Sequence, residues 1–103
     1  MSDLPKPFQK VKDEYPQIIE AYEKLGTEVH AAGPLDDKNR ALIKLAISVG
    51  ARMEGAVHSH TRKALEAGCL KEEIKHTVLL ALTTIGLPGM MASMTWVNDI
   101  LES

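Results

Sequence analysis

The sequence predicts an all-α protein of about six helices, and three observations predict it. Hydrophobic residues make up 45% of the chain but aromatic ones only 4%, so Ala, Leu, Ile, Val and Met carry the apolar content, as packed helices require. Apolar side chains recur at three- and four-residue spacing in one segment after another, and no stretch alternates with the period of two of a half-buried strand. Pro and Gly punctuate the chain at intervals of helix length.

Pro5 and Pro7 keep the first residues from regular helix, so a short helix is expected from near Phe8. Tyr15-Pro16 is the next break, and Pro16 suits the first position of a helix running to about Ala32, with Ile18, Ile19, Tyr22, Leu25 and Val29 on its apolar stripe. Gly33-Pro34 stops it. Asp36 or Asp37 caps a third helix, Lys38 to about Gly50, with Ala41, Leu42, Leu45, Ala46 and Val49 on one side and Ile43 and Ile47 widening the stripe. A fourth runs from Arg52 to Ala67 and ends at Gly68, a good residue for a left-handed helix terminus.

The fifth helix is expected from about Lys71 to Ile85, with Glu72 and Glu73 at its positive end. From Thr77 to Leu82 it is apolar almost all round, which predicts burial on every side and a subunit interface as well as a core. Gly86-Leu87-Pro88-Gly89 breaks the chain before a last helix, Met90 to about Leu101. No internal repeat and no linker interrupts the 103 residues, which read as one domain.

A chain this short buries a modest fraction of its surface, and Cys69 stands alone, so no disulfide helps; oligomerisation is expected to supply part of the core. A net charge of −2 gives no basic field for nucleic acid. Met1-Ser2-Asp3-Leu4-Pro5 has no charged n-region and no apolar run, no segment is long enough to span a membrane, and the lone Cys fits a cytoplasmic protein.

The most informative stretch is Glu54-Gly55-Ala56-Val57-His58-Ser59-His60, which puts two of the four histidines and a carboxylate on about two helical turns. Glu54 and His58 are four residues apart and share a helix face. His60 follows His58 by two residues, roughly 200° round the helix, so the two rings point in different directions.

Three segments carry a family resemblance: Lys38-Asn39-Arg40-Ala41-Leu42-Ile43-Lys44-Leu45-Ala46, then His60-Thr61-Arg62-Lys63-Ala64-Leu65-Glu66-Ala67-Gly68, then Glu72-Glu73-Ile74. Over roughly residues 36 to 100 the chain resembles the carboxymuconolactone decarboxylase family, which includes the alkylhydroperoxidase D-like proteins. The resemblance implies an alkylhydroperoxidase D-like helical bundle, assembled as a homotrimer or homohexamer with sites near the subunit contacts. Peroxidase-like members carry a C-x-x-C pair with a His four residues after the second Cys. His60 matches that His, while Met53 and Ala56 stand at the Cys positions and Ala41 at a glutamate proton-relay position. A thioether and a methyl group form neither disulfide nor thiolate. The peroxiredoxin-like antioxidant activity attached to the family is therefore disfavoured, and the chain looks like the branch without the cysteines.

His60, the one match to a family functional position, reads as a general acid/base or as a buried His bonded to a backbone carbonyl. Glu54 and His58 read as an acid/base dyad in which the carboxylate orients the imidazole, or as an exposed ladder that Arg62 continues. A metal is a sharper alternative: Glu54 and His58 would supply two ligands, and His30, His76 or a neighbouring subunit a third. Neither metal nor cofactor is expected. Arg52 and Arg62 are candidates to hold a substrate carboxylate, with Arg40 and Lys44 as further cations. Cys69 reads as a small packing residue. Leu70 leaves the fifth helix with a weak cap. Met90, Met91, Met94 and Trp96 read as core or interface rather than as the lining of a ligand pocket.

The leading expectation is carboxymuconolactone decarboxylase-like acid/base chemistry, that of a carbon–carbon lyase, on a small lactone or unsaturated carboxylate by His60 with Glu54 and His58. A non-catalytic oligomer that binds a small ligand is the other reading.

Overall fold

The computed structural model describes residues 5–103, so the expectation for Met1 to Leu4 lies outside the described residues. Six α-helices follow one another: α1 (Lys6–Glu14), α2 (Pro16–Ala31), α3 (Asp37–Gly50), α4 (Glu54–Glu66), α5 (Lys71–Leu79) and α6 (Leu87–Leu101), with a 3₁₀ turn, Leu80–Thr83, after α5. No strand occurs among the described residues. The all-α expectation holds.

The chain forms two compact units, Met1–Pro34 and Leu35–Ser103. In the first, α1 and α2 pack on each other, and Lys12 Nζ and Glu23 Oε2 lie 3.8 Å apart. Both helices begin with a proline in the first turn, where its missing N–H costs no hydrogen bond. Pro7 therefore starts α1 rather than excluding it.

The second unit packs α3, α4, α5 and α6 around one core. Leu45 and Val49 enter from α3, Val57 and Ala64 from α4, Ile74 and Val78 from α5, and Met90, Val97 and Leu101 from α6. Within each helix successive residues of this set are four or seven apart, one or two turns, which is why the periodicity located them. Thr61 also sits in this core, fully buried, its hydroxyl donating to the Val57 carbonyl at 2.7 Å.

Local chemistry fixes the helix ends. The Asp36 carboxylate accepts the Asn39 N–H at 2.8 Å and caps α3. Arg52 then takes φ 56° and Met53 is extended, so α4 starts at Glu54 rather than at Arg52. At its far end Gly68 takes φ 91°, its N–H reaches the Leu65 carbonyl, and the Cys69 N–H reaches that of Ala64, the pair of bonds that closes a left-handed helix terminus. Leu70 offers α5 no side-chain acceptor, but Glu73 Oε1 accepts the Leu70 N–H at 2.7 Å, half of a capping box.

Two expectations change. The fifth helix tightens to 3₁₀ at Leu80, and within the single chain Leu79, Leu80 and Leu82 are exposed, so the core alone does not bury the segment Thr77 to Leu82 on every side. One stripe, Val78 and Ala81, faces the core, and the other leucines face outward. The last helix begins at Leu87, three residues before Met90, because Pro88 occupies its first turn behind Gly86 at φ 98°. Met90 is core and Met94 and Trp96 pack against it, while Met91 is exposed.

Candidate functional site

The buried stripe of α4 runs through Val57, Thr61 and Ala64. With 100° per residue, His58 and Glu54 fall on one side of that stripe and His60 on the other. The two sides meet different helices.

On the first side, His58 Nε2 lies 2.9 Å from Asp99 Oδ2, contributed by the last turn of α6. Glu54 joins them: one ligand-type atom each from Glu54, His58 and Asp99 lies within 4.8 Å of the others. The His58 side chain is 23% exposed and that of Asp99 50%. Val97 and Leu101 hold this end of α6 in the core against α4, so both helices are anchored close to the cluster. The sequence pairs Glu54 with His58 but gives no sign of Asp99, 41 residues further on, because only helix packing brings it there.

On the second side, His60 is half-buried, and burial together with the charges of Lys63 and Lys44 pushes its imidazole down to about 4. Lys63 is one turn along α4. Lys44 comes from α3, the helix that packs most extensively on α4. Its own ammonium is held below the usual lysine range by burial, and then by Lys63 and Arg40. Desolvation and neighbouring cations both disfavour imidazolium, so the His60 ring is neutral at pH 7. Lys63 was not among the sequence candidates, although its three-residue spacing from His60 was visible.

The other candidates are accounted for individually. Arg52 Nη2 donates to the Ile85 carbonyl at 3.4 Å and ties the α3–α4 corner to the segment before α6. Arg40 bonds the Leu35 carbonyl and Asp37 at the start of α3. Arg62 is half-buried on α4. Cys69 is buried, its thiol pushed up by desolvation and then by Glu73. Met53 is exposed and Ala56 half-buried. An apolar groove lies elsewhere, lined by Ala46, Val49, Gly50, Thr77, Leu80 and Thr84 among others; Glu54, His58 and His60 do not line it.

A model of the carboxymuconolactone decarboxylase family matches residues 16–99. The chain is 32% identical over 95 residues to an uncharacterized protein of Methanocaldococcus jannaschii, covering 92% of this chain and 86% of that one. A second uncharacterized protein of that organism is 32% identical over 85 residues, 82% of each chain. An uncharacterized protein of Haemophilus influenzae is 35% identical over 63 residues, 61% of this chain and only 56% of its own length.

Proposed function

The chain belongs to the carboxymuconolactone decarboxylase family, and from that premise we propose that it performs acid/base chemistry on a small anionic lactone or unsaturated carboxylate, with His60 as the proton-transfer group and Lys44 and Lys63 as the cations that hold the anion. The placement of His60 carries this reading: a half-buried imidazole where α3 packs on α4, under the charges of Lys44 and Lys63.

The chemistry follows from those charges. A carboxylate entering this site meets the half-buried Lys44 ammonium, whose attraction is stronger there than in water, and the exposed Lys63 beside it. Loss of CO2 from a lactone whose carboxylate is joined to the ring carbonyl through a C=C bond breaks a C–C bond and leaves the electron pair delocalised onto that carbonyl as a dienolate. Lys44 and Lys63 stabilise that charge, and an imidazolium at His60 forms the new C–H bond. Burial is the larger cause of His60's lowered proton affinity, and Lys63 and Lys44 add to it. A bound anion offsets the part due to the two cations and so favours uptake of a proton from solvent when substrate is present. Glu54 and His58 lie on the opposite side of the α4 stripe and take no part in this step.

A dithiol peroxidase reading lacks its residues, because Met53 and Ala56 hold no thiol and Cys69 is buried without a second cysteine. Self-association as a homotrimer or homohexamer is part of the proposal. It is supported by exposed Ile47 and Leu80 on the second unit, the latter lining the apolar groove.

The test is release of CO2 from carboxymuconolactone. The parent turns over, and His60→Gln lowers kcat by about 10²- to 10⁴-fold, the usual worth of a positioned acid/base. Lys44→Gln raises KM. No CO2 from the parent, or a full rate in His60→Gln, would overturn the proposal.

A further inference from the structure

We propose that Glu54, His58 and Asp99 form a binding site for one divalent first-row metal ion, of the zinc, cobalt or manganese type. The site is separate from the His60 centre and stands independently of the reading above.

Three ligand-type atoms, one from each residue, lie within 4.8 Å of one another. His58 Nε2 and Asp99 Oδ2 are 2.9 Å apart. Two donors each about 2.1 Å from one ion and at right angles are separated by about 3.0 Å, so the observed spacing already matches a neighbouring pair in an octahedral shell. The donors come from two helices that pack on each other, with Glu54 and His58 one turn apart on α4 and Asp99 on α6. Ligands on packed helices keep their spacing better than ligands on loops.

Two carboxylates and one imidazole share this small volume. Among the described residues no lysine or arginine pairs with Glu54 or Asp99; the Asp99 carboxylate meets only His58. An ordinary His–Asp ion pair accounts for Asp99 and leaves Glu54 as a second anion beside it. A divalent cation balances both carboxylates and takes the imidazole as a neutral donor.

The donor set, one nitrogen and two oxygens, suits borderline divalent ions better than calcium, which favours an all-oxygen shell, or copper(I), which favours sulfur. Three protein ligands leave coordination positions for water or an anionic ligand.

The experiment uses the tag-free full chain, stripped with a chelator and dialysed, then titrated with Co²⁺ by visible absorption and with Zn²⁺ by calorimetry at pH 7.5. The proposal predicts saturable binding of one ion per chain with micromolar or tighter affinity. His58→Gln and Asp99→Asn each weaken it at least tenfold, as does Glu54→Gln, while His76→Gln binds as the parent does. Far-UV circular dichroism checks that the variants fold; their side chains lie outside the core, so the helical signal is expected to persist. Absence of saturable binding, or binding that survives Asp99→Asn and Glu54→Gln unchanged, overturns the proposal.

Discussion

His58 Nε2 and Asp99 Oδ2 lie 2.9 Å apart, joining the early part of α4 to the last turn of α6. The contact is partly exposed, so as a simple ion pair it contributes little. In metal-free protein, Asp99→Asn is expected to cost less than about 1 kcal/mol in urea unfolding. The same substitution removes most of the stabilisation that added Zn²⁺ gives the parent, because an ion that binds only the folded chain raises its stability by mass action.

Leu70 heads α5 without a side-chain acceptor, and only Glu73 closes the turn. Leu70→Thr supplies the missing half of the capping box and replaces an exposed leucine. The expected gain is about 1 kcal/mol, read as a higher urea midpoint at unchanged m-value.

Cys69 is buried and its thiol is pushed up, first by desolvation and then by Glu73. Thiolate is scarce at pH 7, so iodoacetamide should label the native chain much more slowly than the urea-unfolded one. Peroxide consumption should be the same in Cys69→Ala as in the parent.

Leu45 is fully buried where α3 enters the core. Leu45→Ala is expected to cost about 2–5 kcal/mol, the range for a leucine truncated in a packed interior. For a small domain this approaches the whole stability, so the change is best read by urea titration at low temperature.

The pH dependence of stability follows from His60, whose folded-state imidazole is pushed down to about 4 from an ordinary value of 6.5. Well above pH 6.5 the ring is neutral in both states and contributes no pH dependence. Between pH 6.5 and about 4 the unfolded chain takes up the proton first, so stability falls as pH falls. His60→Gln should flatten that part of the stability profile.

The helices were legible because each buries one stripe: Leu45 and Val49, or Ile74 and Val78, recur at the spacing that a helix demands. Asp36 and Gly68 announced their helix ends for local reasons, a side-chain acceptor and a residue free to take positive φ. Arg52 hid the true start of α4, since a non-glycine residue at φ 56° carries no sequence signal. Leu79, Leu80 and Leu82 are exposed on the single chain, and apolar side chains do not say whether the surface that covers them lies within the same chain.

The candidate site was half legible. The i,i+4 relation of Glu54 and His58 and the divergence of His60 follow from helix geometry alone. Asp99 and Lys44 reach α4 only through packing of α6 and α3, and no local rule links residues so far apart in the chain.

The proposed site sets a neutral His60 imidazole beside Lys44 and Lys63, where a small carboxylate binds. The direct measurement is the ring-nitrogen NMR spectrum of the histidines across pH 3.5 to 8, with and without maleate as an unreactive unsaturated dicarboxylate. In the free protein His60 is expected to stay largely neutral until the pH falls to about 4. Maleate should shift its signals saturably and raise its proton affinity, and Lys44→Gln should weaken that response. A His60 that titrates near 6.5 and ignores maleate would overturn the proposed site.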